Sequence, residues 1–382
     1  MNIAISGGGT GGGVYPALAV ASALQAQNPG DDPRLLWIGG SKGPERDLVT
    51  REGIDFCAVT SAPIAGVGLR ALLAPFRIGW GLIQSLAILR RFKVDALLIT
   101  GGWVTIPPAL ACALKGIPVM IVCPDVEPGG TIKVLRRIAT KVGTVAAASA
   151  SFYRSDQVVE AGYPLRADLL RAAGFDAQGA PLPGQQIDRA AARQSLGLSD
   201  SPPVLLVFGG STGARSINQA VTAILPSILA GWQVVHVTGR LDAGWVAEIA
   251  AQLPPEAAAR YHRFDYLHSQ DMAMALAAAD LAVSRSGASA LGEFPLLGLP
   301  AILVPYPYAW RYQKTNADVL VARGAAIRLD DDRLADELLP ALNHLLADPA
   351  ERERMAGAAV SIRRPDAAAK LAAALANLAH RS

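Results

Sequence analysis

The sequence predicts an α/β protein made of two Rossmann-like domains with parallel sheets, on three observations. Short β-branched runs alternate with Ala/Leu-rich helical stretches, the pattern of strands buried between crossover helices. A polar, Pro/Gly/Gln-containing segment from about Gly174 to Asp200 interrupts that alternation, which then restarts. Each half also opens with a hydrophobic strand that runs straight into a glycine-rich loop and a helix. At 382 residues the chain has room for two domains of roughly 100–200 residues each.

In the first half, Ile3–Ser6, Leu35–Ile38, Ala96–Thr100, Val119–Val122 and Gly143–Ala147 read as strands, and Ala17–Gln25 as the helix after the first glycine loop. In the second half the strands are Val204–Phe208, Val234–Thr238, Tyr261–Phe264, Leu281–Ser284 and Ala301–Val304. The expected boundaries are a first domain over 1–163 and a second over 164–364. The end of the chain, about 365–382, is an Ala/Leu helix whose apolar residues recur three and four apart, and it is expected to pack back on the first domain.

Composition narrows the function classes. With 51% hydrophobic and 18% charged residues the chain is folded, not disordered. The 35 Lys+Arg against 32 Asp+Glu leave +3, which gives no reason to expect a nucleic-acid partner. The charge is unevenly placed. Residues 1–163 carry fifteen Lys/Arg against eleven Asp/Glu, and the remainder twenty against twenty-one. Phe56 to Val94 holds Arg70, Arg77, Arg90, Arg91 and Lys93 without an acidic residue, and 128–155 repeats the pattern with Lys133, Arg136, Arg137, Lys141 and Arg154. Cys57, Cys112 and Cys123 show neither disulfide-framework nor zinc spacing, which fits a reducing compartment. The N-terminus has no basic signal-peptide region, and the apolar run Ile78–Leu89 is shorter than the roughly 18 residues that span a bilayer.

The first glycine loop is Gly7-Gly8-Gly9-Thr10-Gly11-Gly12-Gly13, the second Gly209-Gly210-Ser211-Thr212-Gly213-Ala214-Arg215. A strand–glycine–helix turn gathers free backbone N–H groups and the positive end of a helix dipole at one point, which suits a phosphate; the same glycines also serve a tight turn with close packing. Neither loop carries the lysine of a P-loop. A dinucleotide reading would use Asp31 or Asp32 on a ribose, although both lie in a loop-like stretch. The third cluster, Ser284-Arg285-Ser286-Gly287-Ala288-Ser289-Ala290-Leu291-Gly292-Glu293, reads as a strand end, a small-residue turn and a helix starting near Ala288. Such an N-terminus accepts phosphate oxygens, and Glu293 can take two hydrogen bonds from a ribose diol.

These three clusters, with Gly101-Gly102-Trp103-Val104, Gly162-Tyr163-Pro164-Leu165-Arg166 and Gln313 to Ala317 in the same order, resemble the MurG family of UDP-N-acetylglucosamine:N-acetylmuramyl-(pentapeptide) pyrophosphoryl-undecaprenol N-acetylglucosamine transferases. The likeness runs from Gly7 to about Asn316. It implies the GT-B glycosyltransferase fold, two Rossmann-like domains facing a cleft. It also implies a UDP-GlcNAc donor, an inverting mechanism, no cofactor, and a peripheral enzyme of peptidoglycan synthesis on the cytoplasmic face of the membrane. Carried over, Arg166 contacts the diphosphate or sugar, Ser211 the phosphates, and Ala288, Ser289, Ala290, Leu291 and Gly292 form the facing helix N-terminus. Glu293 clasps the ribose, Gln313 the GlcNAc hydroxyls, and Ser269 marks a backbone contact to uracil. Thr10, Gly11 and Gly12 line the first domain's side.

The acceptor side departs from the pattern. Where the family's first loop ends in His this chain has Gly13, and where the family reads His-Glu-Gln-Asn it has Val122-Cys123-Pro124-Asp125. An inverting transfer needs a base for the acceptor proton. Asp125 is the expected base, also placed among the UDP-GlcNAc contacts, with Glu127 second; a turn-forming role for Asp125 is the alternative. No metal site is expected, and Asp330-Asp331-Asp332 reads as helix capping. The Leu69–Trp80 region sets Leu, Phe and Trp beside Arg, as in a segment on an anionic membrane surface. The leading expectation is transfer of GlcNAc to the lipid-linked acceptor lipid I, giving lipid II. The alternatives are transfer to a different lipid, or UDP-sugar binding without catalysis.

Overall fold

The computed structural model describes the chain except for residues 9–10, 28–29, 31–32, 42, 44, 64–73, 211–212, 309–311 and 381–382. It contains two compact units. The first comprises Met1–Ala167, Asp176–Ala180 and Pro365–Ser382, the second Asp168–Phe175 and Pro181–Arg364.

The first unit holds a parallel sheet of seven strands: β1 (Asn2–Gly7), β2 (Arg34–Gly39), β3 (Asp55–Ala58), β4 (Ala96–Gly101), β5 (Val119–Val122), β6 (Lys141–Thr144) and β7 (Val158–Glu160), ordered β3-β2-β1-β4-β5-β6-β7. Strand alternation divides the core between the two faces. Ile3, Ile5, Leu98 and Met120 pack with the Gly11–Gln27 and Ala367–Ala379 helices, and Ala4, Leu97, Ile99 and Ile121 with the Ile106–Lys115 helix. The C-terminal helix inserts Leu371, Leu375 and Leu378 into the first of these layers. Leu371 lies so close to the sheet that a Cβ on Gly143 would stand 2.3 Å from its Cδ2, so a side chain there would displace the leucine. Gln27 Nε2 donates to Ala369 O at 2.9 Å and fixes that helix to the first.

The second unit repeats the design with six parallel strands: β8 (Val204–Phe208), β9 (Gln233–Val237), β10 (Tyr261–Phe264), β11 (Leu281–Ser284), β12 (Ala301–Leu303) and β13 (Ala326–Arg328), ordered β10-β9-β8-β11-β12-β13. Leu205, Val207, Val283 and Ile302 are fully buried against Ile217 and Val221 of the Arg215–Ala223 helix and Leu338 and Leu342 of the Leu334–Ala347 helix. In both sheets the order reverses beside the first strand of the unit. That reversal opens a crevice outside the carboxyl ends of β1 and β4, and likewise of β8 and β11, where doubly wound sheets bind ligands.

The two parallel sheets bear out the predicted α/β class with doubly wound Rossmann-like domains. The strands that periodicity missed are β3, β7 and β13, all edge strands with half-exposed residues, where the hydrophobic signal is weakest. The expected Gly143–Ala147 strand ends instead at Thr144, and Ala147–Phe152 forms a 3₁₀ turn. The first glycine-loop helix begins at Gly11, inside the loop. No described helix is long and apolar enough to cross a membrane.

Candidate functional site

The second unit carries a cavity of about 850 Å³ at the β8/β11 crevice, near the upper end of the roughly 300–1,000 Å³ usual for small-molecule sites. Two helix N-termini open onto it. On one side β8 turns at Gly209 and Gly210 into the Arg215–Ala223 helix; on the other β11 passes through Gly287 and Ser289 into the Ala290–Leu297 helix. The first-turn amides of a helix have no intrahelical acceptor, so both ends present donors and positive dipole to the same space.

The second glycine loop is shaped by sterics. A Cβ at Gly209 would stand 2.5 Å from Gly213 C and 2.6 Å from Ala214 N, so the chain closes the turn only without a side chain. Behind it a buried network fixes the helix start. His236, fully buried, meets Asn218 Oδ1 through Nε2 at 3.0 Å and Tyr261 through Nδ1 at 2.7 Å. Asn218 Nδ2 donates to Thr238 O at 2.7 Å and to Asp242 Oδ2 at 2.8 Å, and Arg215 grips Asp242 at 2.6 Å. Burial pushes the His236 pKa down to about 3, so the ring is neutral. Burial raises the Asp242 pKa, but hydrogen bonds from Arg215, Trp245 and Asn218 outweigh it and hold the carboxyl below its usual range.

Charge inside the cavity centres on Arg285. Its Nη1 pairs with Asp331 Oδ1, its Nη2 donates to Ser216 Oγ at 2.7 Å, and its guanidinium lies 5.3 Å over the Tyr306 ring. Ser216 in turn donates to Asp331 at 2.7 Å, closing a triangle with 10% exposure at Arg285 and 20% at Asp331. Gln313 is held from both ends: its Oε1 accepts from Tyr306 N at 2.8 Å and its backbone carbonyl accepts from the buried Ser286 hydroxyl at 2.8 Å. The Gln313 amide group retains donors for a ligand hydroxyl. Glu293, half-buried in the first turn of its helix, lines the same space.

Of the residues expected from sequence, the cavity gathers Ser289, Ala290, Glu293 and Gln313. Ala288, Leu291 and Gly292 belong to the same turn and helix without lining it, and Ser269 is an exposed first residue of the Ser269–Ala278 helix. Ser211 lies outside the described residues. Sequence reasoning assigned no role to Arg285, Ser216 and Tyr306, and gave Asp331 only a part in capping. Arg285 stands second in the third cluster and Ser216 directly after the second loop, whereas Asp331 was marked only as a member of the acidic run. The expected capping by the Asp330–Asp332 run is corrected: Asp330, at the N-cap position, makes no side-chain cap bond, Asp331 is taken by Arg285 and Ser216, and Asp330 lies 3.5 Å from Arg328.

In the first unit the glycine-rich turns after β1 and β4 interlock. Thr100 Oγ1 donates to Gly13 O at 2.5 Å, and a Cβ on Gly102, at φ +88°, would stand 2.7 Å from Gly8 O. Gly13 itself has room: a Cβ there would approach nothing closer than 3.5 Å. Gly11 and Gly12 open the Gly11–Gln27 helix, and Thr10 lies outside the described residues. Asp125 is half-buried just past β5, its backbone carbonyl accepting from Cys123 Sγ at 3.3 Å, and Glu127 is buried 3.7 Å from Lys133. Burial pushes the Cys123 thiol up to about 12, which leaves it protonated. Arg166 belongs to this unit, with its guanidinium 5.1 Å over the Tyr15 ring.

Comparison with known proteins covers the chain from end to end. The model of the glycosyltransferase family 28 N-terminal domain matches residues 3–144, and that of the family 28 C-terminal domain residues 204–371. The UDP-N-acetylglucosamine–N-acetylmuramyl-(pentapeptide) pyrophosphoryl-undecaprenol N-acetylglucosamine transferase of Roseiflexus sp. is 40% identical over 96% of this chain and 92% of its own length. The protein of the same name from Desulforudis audaxviator is 36% identical, over 96% and 95%. Among solved structures, Acinetobacter baumannii MurG superposes with a TM-score of 0.74 at 26% identity, covering 98% of this chain and 99% of that one. A Neisseria meningitidis UDP-GlcNAc 2-epimerase, bound to UDP-GlcNAc, shares the fold with a TM-score of 0.67 at 13% identity, covering 100% of both chains.

Proposed function

The chain belongs to the MurG family within glycosyltransferase family 28, and from that premise we propose that it moves N-acetylglucosamine from UDP-N-acetylglucosamine to undecaprenyl-pyrophosphoryl-N-acetylmuramyl-pentapeptide. The product is lipid II, the lipid-linked precursor of peptidoglycan, and the transfer inverts the anomeric centre. The observation that carries this reading beyond the family likeness is the second unit's cavity. It combines two helix N-termini, the pre-positioned Arg285 guanidinium, the Glu293 carboxylate and the tethered Gln313 amide in one space.

The donor fits that chemistry group by group. The diphosphate takes the helix-terminal amides and Arg285, the ribose diol takes Glu293, and the sugar hydroxyls take Gln313. The acceptor hydroxyl attacks the anomeric carbon, the bond from that carbon to the diphosphate oxygen breaks, and UDP departs with the electron pair. Preorganised donors stabilise the charge that develops on the leaving oxygen. The acceptor proton passes to Asp125, the carboxylate that stands where β5 ends and the family's His-Glu is missing. Arg166, Gly11, Gly12 and the turn around Ser211 complete the assignment of sugar and phosphate contacts.

The acceptor's lipid calls for a membrane-facing surface on the first unit. Phe76, Trp80 and Ile83 recur along one side of the Ala74–Phe92 helix and are exposed at 78%, 56% and 58%. Leu114 is exposed on the Ile106–Lys115 helix and Arg77 beside Phe76. Exposed aromatic and aliphatic residues interleaved with cations suit an anionic bilayer surface, and the protein works as a peripheral enzyme on its cytoplasmic face. Of the expected Leu69–Trp80 segment, residues 69–73 lie outside the described residues. The test is turnover by the purified chain with UDP-GlcNAc and lipid I. UDP release coupled to lipid II supports the proposal; release only with another lipid, or UDP-GlcNAc binding without transfer, overturns it.

A further inference from the structure

The two glycine loops have opposite electrostatic surroundings. Beside the second stand cations, since Arg215 and Arg285 line the cavity that opens from it. Beside the first stands a carboxyl group that the transfer reaction has not used. Glu45 opens the Glu45–Arg51 helix just past β2 and is 3% exposed. Its Oε1 accepts from Gly40 N at 3.2 Å, while its Oε2 is buried and has no hydrogen-bond partner. Among the described residues no Lys or Arg forms an ion pair with it, and the adjacent Arg46 lies over the Phe56 ring instead, at 4.9 Å. A Cβ on Gly8 would stand 3.0 Å from Glu45 Oε1 and 3.3 Å from Val104 Cγ1. The carboxyl group therefore lies where the loop after β1 meets the Trp103–Thr105 turn after β4, at the carboxyl-end crevice of the first sheet. Its cover is thin. Gly43, itself exposed, lies over Oε2 so closely that a Cβ there would stand 2.1 Å away.

We propose that Glu45 binds the acceptor, its Oε2 taking a hydrogen bond from a hydroxyl or amide N–H of the N-acetylmuramyl sugar. This inference rests on the transferase reading above. Burying a charged oxygen without a donor is costly, and a native chain keeps such an atom where a ligand completes it. A carboxylate accepts and does not donate, and it repels phosphate. The first loop therefore suits a neutral group that brings its own donors, whereas the second, beside its arginines, suits the diphosphate. Glycine at both contacts means that a ligand reaching the carboxyl group meets backbone there and no side chain. The role is one of binding: the acceptor proton still passes to Asp125.

The test follows initial rates of the full chain at saturating UDP-GlcNAc with lipid I varied, beside urea unfolding and calorimetric titration with UDP. Exchanging a charged acceptor for a neutral one weakens a hydrogen bond about tenfold, so Glu45→Gln should raise the KM for lipid I by about that factor with kcat little changed. UDP affinity should stay as in wild type, because the donor cavity lies in the other unit. Stability should equal or exceed that of wild type, since the Gly40 bond survives and the stranded charge is gone. Asp47→Asn, which removes an exposed carboxylate from the same helix, should alter neither KM nor stability. A Gln variant that fails to fold, or is less stable than wild type with the KM for lipid I unaltered, makes Glu45 structural and overturns the proposal. A loss in kcat at unaltered KM overturns it too, by moving Glu45 from binding to proton transfer. Wild-type protein that turns over lipid I, with Glu45→Gln matching it in KM, refutes this inference alone. Wild-type protein that does not turn over lipid I refutes the transferase reading, and this inference falls with it.

Discussion

Replacing Arg285 by Met separates what that residue does for the fold from what it does for the donor. The side chain makes a charge-assisted bond to Asp331, a second to Ser216 at 2.7 Å, and stacks over Tyr306 at 5.3 Å. Its loss strands Asp331, only 20% exposed, with the Ser216 hydroxyl as its remaining partner in that triangle. Breaking one side of a fully buried pair costs about 3–5 kcal/mol, and partial exposure of Asp331 brings the expected loss to about 2–3 kcal/mol. Removing both charges, Arg285→Met with Asp331→Leu, should recover about 2 kcal/mol of that, because no unpaired carboxylate remains. UDP affinity behaves differently. A guanidinium–phosphate contact contributes about 1.5–3 kcal/mol, so both the single and the double variant should bind UDP about 10- to 150-fold more weakly. Urea unfolding and calorimetric titration with UDP read the two quantities separately. A double variant that regains UDP affinity along with stability would refute a role for Arg285 on the diphosphate, and a single variant as stable as wild type would refute the ion-pair account.

Glu293→Gln should weaken UDP binding by about tenfold or more and erase most of the preference for UDP over 2′-deoxyuridine diphosphate; a variant that still discriminates as wild type does rules out the ribose contact. Asp125→Asn should lower kcat by about 10²–10⁴-fold with little change in the KM for UDP-GlcNAc, and normal turnover with an unchanged pH profile removes Asp125 as the base. Neutral His236 links stability to pH. Its folded pKa, about 3, lies below the unfolded value, so the unfolded chain binds the extra proton and stability falls as pH drops below about 6.5, by about 1.4 kcal/mol per unit. His236→Gln should flatten that part of the stability profile measured by urea titration, and an identical slope in the variant would show that another group carries it.

The sequence made the repeated strand–glycine–helix openings legible because burial on both faces leaves largely apolar runs such as Val204–Phe208 and Leu281–Ser284. The edge strands Asp55–Ala58, Val158–Glu160 and Ala326–Arg328 were not, since half their residues meet solvent and their register is dictated by the neighbouring strand. Within the candidate site, Ser289, Ala290, Glu293 and Gln313 were readable because each sits in a compact motif. Asp331 was not, because its partner Arg285 is 46 residues earlier in the chain and only the closing of the sheet brings the two together. The loss of imidazole at Gly13 was visible, but the space left there became visible only in three dimensions.

The most direct test of the central claim is a single turnover of the purified chain with UDP-GlcNAc labelled in the sugar and with lipid I, scored for released UDP and for the configuration of the new glycosidic bond. Direct transfer at the second unit's cavity with inversion predicts one UDP released for each labelled sugar joined to the lipid, in the β configuration. UDP release with the label appearing as free sugar, or an α-linked product, would contradict it.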